Sequence, residues 1–259
     1  MLRARLAALP AALSAVLSLV IALPAPAQDY EREKRWADEI VPGLVVGDAV
    51  WIDGPGNRKF LGLYAEPAAP RAALLIVHGV GVHPDHGVIG AIRASLADAG
   101  YATLSIQMPV QKADAGLSDY YPTVFPNAVE RIRSASRWLS AKAKGPVVLV
   151  SHSMGSWMSN VYFEETAASP FAAWVCMGLT GGYGSMRNVK VPLLDVYGEK
   201  DLANVLRADW RRKLTVESIE GSRQVRIAGA DHFYAGKEKE LTAAIDGFIR
   251  AQVLRGNAR

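Results

Sequence analysis

Cysteine is nearly missing from this chain: Cys176 is the only one among 259 residues. One thiol cannot close an internal disulfide, so the fold must rest on its core. Inside the apolar run WVCMGL, Cys176 reads as a small buried hydrophobe. A large charge excess is missing too. Lys and Arg number 29 against 25 Asp and Glu, a formal net charge of +4. Without Arg3 and Arg5 near the start it is 27 against 25, or +2, and that near-neutral balance argues against a nucleic-acid partner. Cofactor fingerprints are absent: GVGVHPDHG lacks the G-x-G-x-x-G spacing and no P-loop occurs, so no cofactor is expected. No repeat or low-complexity tract follows the first 27 residues.

Those 27 residues have a composition of their own. Arg3 and Arg5 precede an apolar run from Leu6 to Leu23, and Ala25-Pro26-Ala27 forms a small-x-small ending. This is the layout of a secretory signal peptide, with cleavage expected before Gln28. An uncleaved anchor is the competing reading, because the run approaches spanning length. Pro10 and the charged DYEREKR directly after the ending favour cleavage, and the basic start places the remainder outside the cytoplasm in either case. The expectation is a signal peptide over 1–27 and one domain over 28–259, periplasmic or extracellular, with no stable membrane span after cleavage. The 232 remaining residues suffice for one large core.

Within that domain, two β-rich segments flank PGNR and read as an antiparallel hairpin. Beyond them strands and helices alternate. The strands AALLIVHG, YATLSI, PVVLVS, AAWVCMGL and VPLLDVYG are continuously apolar or nearly so, and RQVRIAG reads as the last strand. Helical spacing places Ile89, Ile92 and Leu96 on one face, then Ala128, Ile132, Ala135 and Leu139, and finally Leu241, Ile245, Phe248 and Ile249. The pattern predicts an α/β fold: a mostly parallel eight-stranded sheet with helices on both faces. Ligands of such sheets gather at the carboxyl ends of the strands.

Four strand ends carry reactive residue types: HGVGVHPDHG after Val77, Ser153 in SHSMG, Asp201 in GEKD and His232 in GADHF. Ser153 precedes Asp201 by 48 residues and Asp201 precedes His232 by 31. Each signal is weak alone. Together they give the chain order nucleophile, acid, histidine, with room for two βα units and then one.

From about Leu44 to Val253 the chain resembles an α/β-hydrolase. More narrowly, GVHPDHGVIGAIRASLADAGYATLSIQMPV resembles a group of exported bacterial α/β-hydrolase-like proteins of uncharacterised function. The resemblance implies a Ser153–His232–Asp201 triad, in which His232 moves the proton and Asp201 orients the imidazole. The N–H of Met154, directly after the nucleophile, is one expected oxyanion donor. The resemblance makes Val80 the second, with Gly79 and Gly81 allowing close approach.

The nucleophile turn departs from the usual G-x-S-x-G, because Ser151 stands where the first glycine would be. Positions two before and two after the nucleophile must be small, or side chains collide across the strand–helix corner. Gly155 meets that demand, and Ser151 adds one CH₂OH group, a tolerable departure.

Other residues compete for roles. Asp195 lies near the same strand as Asp201 but before its end, and is expected to point into a helix interface. Asp231 adjoins His232 and is poorly placed to bridge back to its ring. His152 is expected to pack by the elbow and His78 to shape the oxyanion loop. His83, Asp85 and His86 could suggest a metal site. They read better as a helix start, with Pro84 as entry and Asp85 as cap, so no metal is expected. Thr180 to Val191 has only 12 residues, is Gly-rich and lacks an apolar helical face, so a minimal lid or none is expected. The loop from Pro109 to Pro126 could form one wall of the cleft, with Tyr120 and Tyr121 touching ligand or packing beneath it.

Two classes of function follow. One is a secreted or periplasmic serine hydrolase acting on a small-molecule ester or acyl substrate through an acyl-enzyme. The other is a non-catalytic hydrolase-fold protein that binds a ligand or an envelope partner.

Overall fold

The structure, a computed structural model, describes residues 28–254. The expected signal peptide and its cleavage site before Gln28 therefore fall on or beside residues outside the described range. Among the described residues no helix is long and apolar enough to cross a membrane.

Among the described residues eight strands form one sheet: β1 (Asp48–Asp53), β2 (Lys59–Ala65), β3 (Ala73–Val77), β4 (Ala102–Ile106), β5 (Val147–His152), β6 (Phe171–Met177), β7 (Leu193–Lys200) and β8 (Arg223–Asp231). Their spatial order is β1-β2-β4-β3-β5-β6-β7-β8. The first pair is the antiparallel hairpin expected around PGNR, β2 also runs antiparallel to β4, and every later pairing is parallel.

Parallel strands need helical crossovers, and these cover both faces. The two-residue period of a strand then divides each central strand between two cores. Leu74 and Ile76 of β3 join Val148 and Val150 of β5 on one side. There α2 (Val88–Asp98) contributes Ile89, Ile92 and Leu96, and α7 (Glu238–Ile249), which follows α5 (Ala203–Arg207) and α6 (Asp209–Glu217) in the chain, contributes Leu241, Ile245, Phe248 and Ile249. Leu75 and Val77 join Val147 and Leu149 on the other side, against α3 (Leu117–Lys142) and α4 (Met154–Glu165). Burial on both faces is why these strands read as unbroken apolar runs. Cys176 lies fully buried in β6, and burial pushes its thiol pKa well up.

Two elements differ from the sequence reading. The charged DYEREKR does not lie idle: Tyr30–Ile40 is a helix, α1, that buries Glu33 and Ala37. Its polar composition hid it: the buried Glu33 is held by hydrogen bonds, and its apolar contact is confined to Ala37 and Ile40 against Leu61 and Leu63. The expected loop over 109–126 is also half helix, since α3 begins at Leu117 and runs through Pro122 and Pro126. Proline usually ends a helix. Here a buried face of Tyr120, Val124, Phe125 and Ala128 carries the helix past both prolines.

Candidate active site

The chain turns sharply between β5 and α4, and Ser153 occupies the turn with φ +59° and ψ −125°. A non-glycine residue there is strained by about 1–3 kcal/mol. The surroundings hold it in place. The Ser153 N–H donates to Met177 O at 2.8 Å, and the Ser153 carbonyl accepts from Ser156 N at 3.0 Å. Gly155 is sterically required, since a Cβ there would lie 2.2 Å from His78 O.

Ser151 turns out to be bonded rather than merely tolerated. Its Oγ accepts the indole N–H of Trp174 at 2.7 Å, and its carbonyl accepts from Ser156 Oγ at 2.7 Å. Ser151 and Trp174 are both fully buried. The hydroxyl in place of the usual glycine thus satisfies a donor brought by the neighbouring strand β6.

The three residues singled out in the sequence meet at the strand ends. Ser153 Oγ lies 2.9 Å from His232 Nε2, and His232 Nδ1 lies 2.6 Å from Asp201 Oδ1. With Nδ1–H donating to the carboxylate, Nε2 is free to accept the serine proton. Asp201 also accepts the N–H groups of Gly198 and Leu202. Burial alone would raise its pKa. The hydrogen bond and charge of His232, with the two backbone donors, outweigh burial and hold the carboxyl below its usual range.

His152 tilts against the His232 ring with centroids 4.9 Å apart and donates from Nε2 to His232 O at 2.9 Å. Burial, reinforced by the neighbouring His232, lowers its pKa to about 4, so it packs as a neutral ring. Gly178 leaves room on another side of the histidine, where a Cβ would come within 3.0 Å of the imidazole.

The loop after β3 approaches the serine closely: a Cβ on Gly79 would lie 3.0 Å from Ser153 Cβ. His78 is fully buried, which lowers its pKa to about 3 and keeps it neutral. Its Nε2 accepts Met108 N–H at 2.9 Å, so the proton sits on Nδ1, which donates to Gly79 O at 2.7 Å. No peptide is cis. In a trans peptide the C=O and the following N–H point in opposite directions. Pinning Gly79 O therefore fixes the direction of Val80 N–H. Met154 is the first residue of α4, so its own N–H has no acceptor within the helix, and the positive end of the helix dipole adds to it.

The remaining sequence candidates separate from this cluster. Asp195 faces the core: Arg212 of α6 (Asp209–Glu217) donates to both of its oxygens at 2.9 and 3.0 Å, and Gln224 donates to one. Asp231 accepts the backbone N–H groups of Phe233 and Ala235. Asp85 is not a helix cap: it binds the buried Arg93 at 2.8 Å, and Gly87 occupies the cap position. His83 packs on Trp36 and His86, and His86 lines the cavity. Among the described residues no three His, Cys, Asp or Glu side chains cluster as a metal site.

A cavity of about 1100 Å³ opens on Ser153 and His232. Among the described residues its lining is mainly apolar, including Val80, Val82, Val88, Ile89 and Phe233, and contains no Lys or Arg. Tyr120 is buried, with its hydroxyl accepting Gln111 N–H, whereas Tyr121 lines the cavity and stacks on Trp157 at 5.2 Å. The sequence reading missed Trp157. Two signals could have found it: its i+4 spacing from Ser153, and the pair Gly181–Gly182, where either Cβ would collide with its ring.

The chain therefore has the α/β-hydrolase fold. Three solved structures share it at low identity. Dienelactone hydrolase from Anabaena variabilis is 21% identical with a TM-score of 0.65, covering 79% of this chain and 97% of its own. Est1E from Butyrivibrio proteoclasticus, solved with ferulic acid bound, is 18% identical with a TM-score of 0.63, covering 79% and 99%. A protein from Xanthomonas campestris described as an α/β serine hydrolase without lid is 17% identical with a TM-score of 0.62, covering 81% and 96%. Residues 20–146 match the family model described as Protein of unknown function (DUF3530). No curated protein matches the sequence.

Proposed function

We propose that this protein is a serine hydrolase of carboxylic esters, with Ser153 as nucleophile, His232 as base and acid, and Asp201 as its orienting carboxylate. The observation that carries the reading is the continuous bond path from Ser153 Oγ through His232 to Asp201 at the floor of an apolar cavity. In this reaction Ser153 Oγ bonds to the ester carbonyl carbon as its proton passes to His232 Nε2. The carbonyl electron pair moves onto oxygen, where the N–H groups of Met154 and Val80 stabilise it. Collapse expels the alcohol, which takes its proton from His232. Water then repeats the sequence on the acyl-enzyme and releases the acid.

The cavity favours esters with a sizeable apolar part. An anionic substrate would find no Lys or Arg among the described residues of the lining. Leu117, Tyr121, Leu202 and Phe233 stand exposed around the mouth, ready to be covered by such a group. Est1E, which shares the fold, is solved with ferulic acid bound, and an ester of such an aromatic acid would bring an uncharged ring to a cavity of this kind. We further propose that residues 1–27 are removed on export and that the mature protein, starting at Gln28, works in the periplasm or outside the cell.

A fluorophosphonate probe tests the enzyme reading directly. It should label Ser153 in the wild type, and Ser153→Ala should lose both labelling and ester hydrolysis. A wild-type protein that resists the probe would leave the ligand-binding class of function in its place.

A further inference from the structure

We propose that helix α1 is a clamp on the oxyanion loop and that Arg32 is its positioning residue. The proposal rests on the hydrolase reading above, in which the Val80 N–H must hold a fixed direction.

The loop Gly79–His83 has no ladder of its own, so something must keep it still. Its first peptide is tied by His78, as described. Its second half turns at Gly81 with φ +69°, and the tie there comes from outside. Arg32 Nη2 donates to Gly81 O at 3.3 Å, while Nη1 donates to Gln111 O at 2.9 Å. One rigid guanidinium fork thus joins the loop after β3 to the segment after β4. The guanidinium also lies 4.6 Å over the ring of Trp36, one turn along α1, and Trp36 packs on His83 with centroids 5.9 Å apart. Gly81 and His83 are both held by side chains of α1.

A clamp is only as firm as its mounting, and α1 is mounted by buried polar bonds. Asp29 caps it through Arg32 N and donates its own N–H to Val110 O at 2.7 Å. Glu33 pairs with the buried Arg131 at 2.8 Å and accepts from Gln28 and Val110. The other arm of Arg131 donates to Gln107 O at 2.8 Å, and the next residue, Met108, supplies the N–H that fixes the His78 tautomer. The mounting therefore reaches both ends of the loop: directly at Gly81 and His83, and through Arg131, Met108 and His78 at Gly79. Removing the Arg32 fork should leave the cavity intact while loosening the Val80 donor. Such a change acts on the transition state rather than on ground-state binding.

The test uses the full domain, hydrolysis of p-nitrophenyl butyrate and the rate of fluorophosphonate labelling. Arg32→Met keeps an unbranched apolar stem but removes the guanidinium, and with it both donors and the cation–π contact with Trp36. It should lower kcat and the labelling rate together by roughly tenfold, a fraction of what losing an oxyanion donor costs, with KM within about twofold. Because the substitution leaves Ser153, His232 and Asp201 in place, the shape of the pH–rate profile should not change. Arg32→Lys, with a donor but no fork, should fall between wild type and Arg32→Met. Lys34→Ala, which removes only an exposed pair with Asp38 on the same helix, should match wild type.

A folded Arg32→Met protein with wild-type kcat overturns the clamp, and so does a loss confined to KM. Should Arg32→Met fail to fold, Arg32→Lys carries the test, and parity with wild type overturns the clamp. Wild-type protein that resists the probe sinks the hydrolase reading, and the clamp with it. Wild-type labelling with an unchanged Arg32→Met rate sinks the clamp alone.

Discussion

Asp195 and Asp201 sit six positions apart, one within β7 and the other just beyond it, and they do opposite things. Asp195 is fully buried in mid-strand, its oxygens taken by Arg212 and Gln224. Asp201 lies past the carboxyl end of the strand, where it faces an imidazole whose other nitrogen reaches a hydroxyl. The first carboxylate meets a permanent charge and is static. The second meets a group that can gain and lose a proton. Residue chemistry is the same; the distance travelled along the strand selects the partner.

Substitution should pull this contrast apart most strongly at Asp201. Asp201→Asn should cut kcat by about 10⁴-fold through loss of the imidazole tautomer and its counter-charge, with the fold retained. Steady-state kinetics and a thermal melt read both halves. An Asp201→Asn variant with near-normal turnover would assign the proposed orienting role to another group.

Asp195→Asn should instead act on stability, by about 3–5 kcal/mol, because Arg212 is left charged and buried. Denaturant titration measures the cost. If the folded variant loses turnover without losing stability, the division between the two carboxylates is wrong.

Acid should affect the two regions unequally as well. His78 and His152 have folded pKa values of about 3 and about 4, lowered chiefly by burial, against an ordinary 6.5. Between those values and pH 6.5 the unfolded chain binds more protons than the folded one. Their stabilising contribution is thus complete above pH 6.5 and shrinks as pH falls. By pH 5 each ring should have given up on the order of 2 kcal/mol. Unfolding midpoints measured from pH 7.5 to 5 should fall, and a flat profile would contradict the neutral, buried state of both rings.

The smallest effect is expected at the elbow. Ser151→Gly restores the commoner residue yet leaves the Trp174 N–H buried without an acceptor, at a cost of about 1–3 kcal/mol. Activity per folded molecule should persist. A variant as stable as wild type would mean that the Trp174 bond adds nothing.

Much of this was legible beforehand because it depends on local pattern. Continuous apolar runs marked the parallel strands, and reactive residues at their ends marked Ser153, Asp201 and His232. The α1 helix was not legible, since Arg32, Glu33 and Trp36 find partners at Gly81, Arg131 and His83, tens of residues away. The start of α3 was hidden by Pro122 and Pro126, whose local veto is overridden by burial of the helix face around them.

By itself, the sequence determined the order of strands and helices and the side chains delivered to the strand ends, because hydrophobic period and turn chemistry act over a few residues. Tertiary structure decided which carboxylate meets which cation, which tautomer His78 adopts, that Ser151 serves Trp174, and that a polar N-terminal helix holds the loop beside Ser153. Those outcomes are hydrogen-bond geometries between segments far apart in the chain, and they have no value until packing brings the donor and the acceptor within 3 Å or so of each other.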